Sequence, residues 1–225
     1  GIMVLAGPRL KVGLITNHEA LRHVTQRLTT VLVEEKLRSF ITTLRLLKKL
    51  SQYENHGSYD YDATRDGSAA RGMNQSENAS VLRIAVCGLN PHLSDGGLFG
   101  DEEKTILQPA ISKWHNRVND QMMLHVTLEP ADTAFYKGYT GVYDGILACY
   151  HDQGRGPLKT VHFDTAINIT GGLKHFRVSP DHGPARDLYH TGQASAVSLA
   201  RCFLLCHHYL LKLCDSSYQD AIDSH

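Results

Sequence analysis

The sequence predicts an α/β fold, a sheet with helices on both faces. Two observations predict it. Short apolar runs rich in β-branched residues recur at 11–17 (KVGLITN), 82–89 (LRIAVCGL), 145–150 (GILACY) and 166–170 (AINIT), each of strand length. Segments with helical spacing lie between and after them, and strands alternating with helices build this class.

The run at 11–17 reads as a buried parallel strand. From 31 to 50 the apolar residues Val33, Leu37, Phe40, Leu44 and Leu47 fall on one helical face, with Glu34, Glu35, Lys36, Arg38, Arg45 and Lys48 mostly elsewhere. Residues 51–80 contain no Val, Leu, Ile, Phe or Trp, so they bury too little surface to offset the entropy of ordering and read as a flexible insertion. A strand at 82–89, a Gly-rich turn and a helix from about Asp101 follow. Pro109 predicts that this helix is kinked or split. Strands at 145–150 and 166–170 and a last helix over 194–213 complete the reading. Neither a GxGxxG turn nor a GxxxxGK[ST] loop is present.

The 23 basic and 23 acidic residues cancel, which leaves no net field to draw the chain onto nucleic acid or anionic lipid. Five cysteines, an odd number, sit at the ends of apolar runs or on the apolar C-terminal stretch, and predict reduced thiols in a cytoplasmic setting. The N-terminus lacks a basic n-region, and Arg201, His207, His208 and Lys212 interrupt the stretch 196–214. Neither export nor a membrane span is expected. The strand-like run directly after Gly1 predicts numbering that begins inside a longer protein.

The positions of three histidines carry the chemistry. His18 follows the first strand, His92 follows the second after Asn90-Pro91, and His151 follows GILACY. Ligands of open α/β sheets sit outside the carboxyl ends of the strands, so three imidazoles at that edge could share one divalent metal. The competing reading is chance, since 14 histidines leave some after strands anyway. Asp152 is placed to orient the His151 ring, and Gly154 and Gly156 would let backbone approach a ligand. Lys159, Asn168 and Arg177 follow at intervals of nine on strand ends or loops, a set suited to a small anion, each with a solvated or structural alternative. A second zinc option, Cys202, Cys206, His207 and Cys214, lies on an apolar helix and reads better as packing.

The blocks TNHEALR, VCGLNPHLSDGGLFGDEE, PADTAFYKG, YHDQGRGPLK, INITGGL and RVSPDHGPARDL stand in this order and resemble those of the 4-hydroxythreonine-4-phosphate dehydrogenase family. The resemblance implies a three-layer, isopropylmalate-dehydrogenase-like α/β/α fold with an incomplete first domain. It divides the chain into a metal, substrate and dimerisation domain at 1–175 and a remnant of the cofactor-side domain at 176–225. It implies NAD as cofactor, a small phosphorylated hydroxy-acid as substrate, and a homodimer whose metal site is shared between subunits. The metal, zinc, magnesium, cobalt or manganese, would be held by His18, His92 and His151. Lys159, Asn168 and Arg177 match substrate-binding positions, and Asp181, His182 and Gly183 fall near the cofactor. The implied reaction is oxidation of 4-phosphohydroxy-L-threonine, or a related four-carbon acid phosphate, followed by decarboxylation in pyridoxal 5'-phosphate biosynthesis.

Departures accompany the matches. Leu98 stands where GGH is usual, His23 replaces an acidic residue, Pro184 replaces Thr, and the family's long N-terminal portion is absent. Two alternatives therefore stand beside the dehydrogenase: a truncated, inactive metal-binding relative, and a metal-dependent hydrolase or lyase with Asp152 or Asp181 as base.

Overall fold

The computed structural model describes residues 1–51, 81–115, 117–119 and 122–223. The insertion expected at 51–80 therefore lies, apart from Ser51, outside the described residues. The strands are β1 (Ile2–Ala6), β2 (Lys11–Leu14), β3 (Val81–Cys87), β4 (Arg117–Asn119), β5 (Met122–Glu129), β6 (Gly145–Ala148), β7 (Ile167–Gly171) and β8 (Val178–Pro180). They form one sheet in the order β4-β5-β3-β6-β2-β1-β7-β8. The central strands β5, β3, β6 and β2 are mutually parallel. By contrast, β1 runs antiparallel to both β2 and β7, and β4 and β8 are antiparallel edge strands.

The helices are α1 (Leu21–Arg27), α2 (Thr30–Leu50), α3 (Gln108–Ser112), α4 (Ala131–Tyr139), α5 (His151–Val161) and α6 (Val197–Asp223). Side chains alternate across the pleat, so each strand feeds two cores. On one face, Val4, Leu82, Ile84, Val86, Leu147 and Ile169 meet Val33, Leu37, Phe40 and Leu44 of α2. On the other, Leu5, Val12, Leu14, Ile146 and Ala148 meet Ala134 and Phe135 of α4 and Leu158 of α5. This is the three-layer α/β/α arrangement that the resemblance implies.

The amphipathic run expected at 31–50 is α2, opened by Thr29, whose side chain accepts from the Leu32 N–H at 3.2 Å. The helix expected from Asp101 is split as Pro109 requires: a single π turn at Glu103–Leu107 runs into α3. Three helices, α1, α4 and α5, escape the sequence reading, together with the strands β4, β5 and β8. The most instructive is α5. The sequence reading places Lys159 of HDQGRGPLKTV on a strand end or loop, yet the segment is helical, with Leu158 fully buried and Gly154 packed on the sheet. A Cβ at Gly154 would lie 2.8 Å from Leu14 and Val12, so the close approach that this glycine permits is to β2 and not to a ligand.

Gly145 plays the same part on the other face, where a Cβ would meet Leu44 and Phe40 of α2 at 2.7 Å. Gly145→Ala is expected to cost about 1–3 kcal/mol through overpacking. Urea denaturation checks it, and an unchanged midpoint would mean that α2 yields freely.

Helix α6 packs on α2, β7 and β8, with Cys202 and Ser198 buried and Tyr209 stacked on Phe176 at 4.5 Å between centroids. Its Val197–Cys214 window has a mean hydropathy of 1.2, so by length and composition alone it would reach across a membrane. Cys202 is buried while Cys214 is exposed, and no three His, Cys, Asp or Glu side chains gather among the described residues. Cys202, Cys206, His207 and Cys214 thus form no cluster among the described residues.

Candidate functional site

The strand order answers the question that the three histidines raise. The strands that precede them, β3, β6 and β2, are consecutive neighbours and parallel, so their carboxyl ends share one edge. Neighbouring strands lie about 4.8 Å apart, which sets the scale on which the following loops can meet.

Two side chains stitch these ends together, and sequence reasoning singles out neither. Thr16 donates its hydroxyl to the Cys149 carbonyl at 2.8 Å, tying the end of β2 to that of β6. Gln153 accepts from the Cys149 N–H at 2.7 Å and donates to the Gly88 carbonyl at 2.8 Å, tying β6 to β3. The one signal for them in the sequence is position: each lies within two residues of a candidate histidine.

His18 and His151 come together with ring centroids 5.1 Å apart and planes tilted by 43°. Asp152 holds the His151 Nδ1 at 2.7 Å, the orienting role expected of it, and leaves Nε2 as the ring's other nitrogen. The Asn17 Oδ1 beside them is buried without a partner. An open cleft of about 470 Å³ adjoins His18, lined also by Glu19, Ala20, His23, Gln26 and Arg27. Two imidazoles with free nitrogens suit a divalent cation such as zinc.

His92 stands at the same edge but on a different footing. It is exposed and belongs to a left-handed turn in which His92, Leu93, Ser94 and Asp95 have φ of 50, 57, 67 and 43°, followed by Gly96 and Gly97. Left-handed conformation costs L-residues about 1–2 kcal/mol each, so the turn needs an external anchor. Among the described residues of one chain, no three His, Cys, Asp or Glu side chains surround a single point.

The anchor is Glu103. Its carboxylate, 5% exposed, accepts from the Asn90 N–H at 2.7 Å, from the Asn90 side-chain amide at 3.0 Å and from the Ser94 hydroxyl. Burial by itself would raise this carboxyl's pKa, but the donors from Asn90 and Ser94 outweigh it and hold the group below the ordinary glutamate range. A depressed folded-state pKa means stability that is present above the unfolded value of about 4.3 and lost as the pH falls through the folded value. The turn is accordingly expected to loosen as the pH falls below the ordinary glutamate range. Hydrogen exchange at the Leu98 amide, which bonds to the Ser94 carbonyl at 2.8 Å, reads this directly. Exchange that stays flat from neutral pH down to the onset of global acid unfolding, after correction for the intrinsic rate, would contradict it.

The other candidates are distributed over the sheet. Lys159 sits on α5, not on a strand end or loop, two turns and about 12 Å of helix rise from His151. Its ammonium bonds to the Phe163 carbonyl at 2.9 Å and the Asp181 carbonyl, and lies 3.0 Å from Asp181 Oδ2. Asn168 is the second residue of β7, opposite Leu5 and Ser179, and its Oδ1 is buried without a partner. Arg177 is exposed at the start of the β8 hairpin and donates to Thr170 Oγ1 at 2.8 Å. Asp181 points inward, where it receives Arg155 Nη1 at 2.7 Å, while His182 and Gly183 are exposed.

Cys87 and Cys149 lie behind this edge, and both thiols are pushed well above their ordinary pKa, chiefly by burial. Buried neutral thiols of this kind are packing groups rather than nucleophiles.

Comparison with known proteins bears on the whole arrangement. The chain is 38% identical over 204 residues to a 4-hydroxythreonine-4-phosphate dehydrogenase of Geobacter metallireducens, a match that covers 91% of this chain and 50% of that protein. It is 48% identical over 118 residues to the D-threonate 4-phosphate dehydrogenase of Salmonella typhimurium, covering 52% of this chain and 35% of that one. The crystal structure of 4-hydroxythreonine-4-phosphate dehydrogenase from Klebsiella pneumoniae superposes with a TM-score of 0.62 at 34% identity, over 92% of this chain and 53% of that structure. The chain thus spans about half the length of the Geobacter and Klebsiella relatives. The profile of the pyridoxal phosphate biosynthetic protein PdxA family matches residues 68–206, more than half of the sequence, and the chain belongs to that family.

Proposed function

We propose that this chain serves an NAD-dependent dehydrogenase reaction on 4-phosphohydroxy-L-threonine, or a related four-carbon acid phosphate, with decarboxylation. The observation that carries the proposal is the strand order: His18, His92 and His151 follow three adjacent parallel strands whose ends Thr16 and Gln153 lock together. The names of the relatives supply the substrate class.

In this reading the three histidines hold a divalent cation, zinc, magnesium, cobalt or manganese, in a site shared by the two subunits of a homodimer. Bound there, such a cation supplies Lewis-acid polarisation of a substrate hydroxyl. The chain's own residues do the rest. Asp152 fixes the His151 ring so that Nε2 is presented. Arg177 offers an exposed guanidinium and Asn168 an unpartnered amide oxygen to the substrate, while Lys159 acts after giving up its carbonyl partners. His182 and Gly183 are accessible to NAD, with Asp181 supporting them from below. Residues 1–175 would then carry metal, substrate and dimer contacts and 176–225 the cofactor side. The free cysteines suit a cytoplasmic setting.

The test is absorbance at the nicotinamide band with 4-phosphohydroxy-L-threonine, NAD and each metal in turn. Steady NADH formation that depends on added metal is expected. Zinc binding without turnover under any metal would reduce the chain to a metal-binding relative.

A further inference from the structure

We propose that Glu103 is the positioning residue for His92: this one buried carboxylate sets the left-handed turn that presents the imidazole at the sheet edge. The inference deepens the proposed function, since it takes His92 as one of the three metal-holding histidines. Four consecutive non-glycine residues, 92–95, hold positive φ, a run that local preference opposes at every step. Something outside the turn must over-determine it.

Glu103 meets that requirement from a rigid base. It opens the π turn whose Leu107 is fully buried in the core under α2, so the carboxylate cannot follow the turn if the turn moves. Its carboxylate accepts from the turn at three points: the Asn90 N–H before it, the Asn90 amide, and the Ser94 hydroxyl two residues beyond His92. His92 is thereby bracketed on both sides by groups that one carboxylate holds. Glu102 reinforces the near bracket by accepting from the Asn90 amide at 2.8 Å. Gly88 packs close to the same turn, since a Cβ there would come within 2.7 Å of the end of the Leu93 side chain. Glu103 bonds to Asn90 and Ser94 on either side of His92, so it acts on the imidazole through the turn.

The experiment compares the full 225-residue chain with Glu103→Ala, Glu103→Gln and Ser94→Ala. Two quantities are read: exchange at the Leu98 amide, and zinc affinity by calorimetry. Glu103→Ala is expected to speed Leu98 exchange by about tenfold or more while β3 amides keep their protection. Zinc affinity should fall by about tenfold, the scale for loss of an outer partner. Glu103→Gln, which keeps one acceptor oxygen, should restore part of both, and Ser94→Ala should move both in the same direction by less. Unchanged Leu98 exchange in a folded Glu103→Ala protein would overturn the proposal. Should that variant unfold globally, Ser94→Ala decides: faster exchange confined to the turn supports the role, and unchanged exchange ends it. A wild-type chain that binds no zinc sinks the three-histidine reading separately, since the Leu98 measurement contains no metal.

Discussion

Replacing Asp181 with alanine is expected to lower the unfolding free energy by about 3 kcal/mol, toward the lower end of what breaking a buried ion pair costs. Asp181 is 4% exposed, yet it serves three partners. Arg155 donates to Oδ1 at 2.7 Å, and the Lys159 ammonium lies 3.0 Å from Oδ2, within ion-pair distance though out of line for a hydrogen bond. The Asp181 N–H donates to the Ser198 hydroxyl, which donates in turn to the Ala166 carbonyl at 2.6 Å. One residue therefore couples α5, the start of β7 and the first turn of α6. Alanine keeps the backbone link but leaves two cations facing each other across an emptied site. Both remain partly exposed, so solvent screens some of the penalty. Asp181→Asn should recover part of the loss by accepting from Arg155. Urea denaturation reads the effect, and a change below about 0.5 kcal/mol for alanine would show that α6 docks without this hub.

The second large effect concerns the paired imidazoles. His151→Ala is expected to reduce zinc affinity by more than about a hundredfold, beyond the 10- to 100-fold typical of losing an outer partner. His18→Ala should do the same, because the two rings face each other at 5.1 Å and neither alone makes a chelate. Asp152→Asn should cost about tenfold, near the weak end of that range, since its side chain is 90% exposed and its hold on the ring is screened. His125→Ala is the control: that ring pairs with His115 at 4.8 Å on β5, away from the shared edge. Calorimetric titration of the four variants distinguishes these outcomes. Equal zinc affinity in wild type and His151→Ala would remove the metal from this edge altogether.

Much of this molecule is legible in the order of its amino acids, and the reasons are local. The face of α2 can be read because burial of Val33, Leu37, Phe40 and Leu44 repeats at the helical period. Strands β2, β3, β6 and β7 can be read because short β-branched runs of this kind are stable chiefly as buried strands. The position of each histidine shortly after a strand is equally visible, and with it the edge at which they stand.

What the sequence leaves open is everything that depends on which segments become neighbours. Nothing in residues 2–6 says that β1 inserts antiparallel between β2 and β7, because pairing partners are chosen by the sheet. In HDQGRGPLKTV two glycines and Pro157 oppose a helix until Gly154 and Leu158 find β2 and the core. The left-handed turn at 92–97 runs against the preference of its own residues and exists only because Glu103, nine residues after Ser94, is held by the core. Composition and periodicity fix which surfaces must be buried; the register and order of β3, β6 and β2 decide which histidines meet, since that choice is made by contacts distant in the chain.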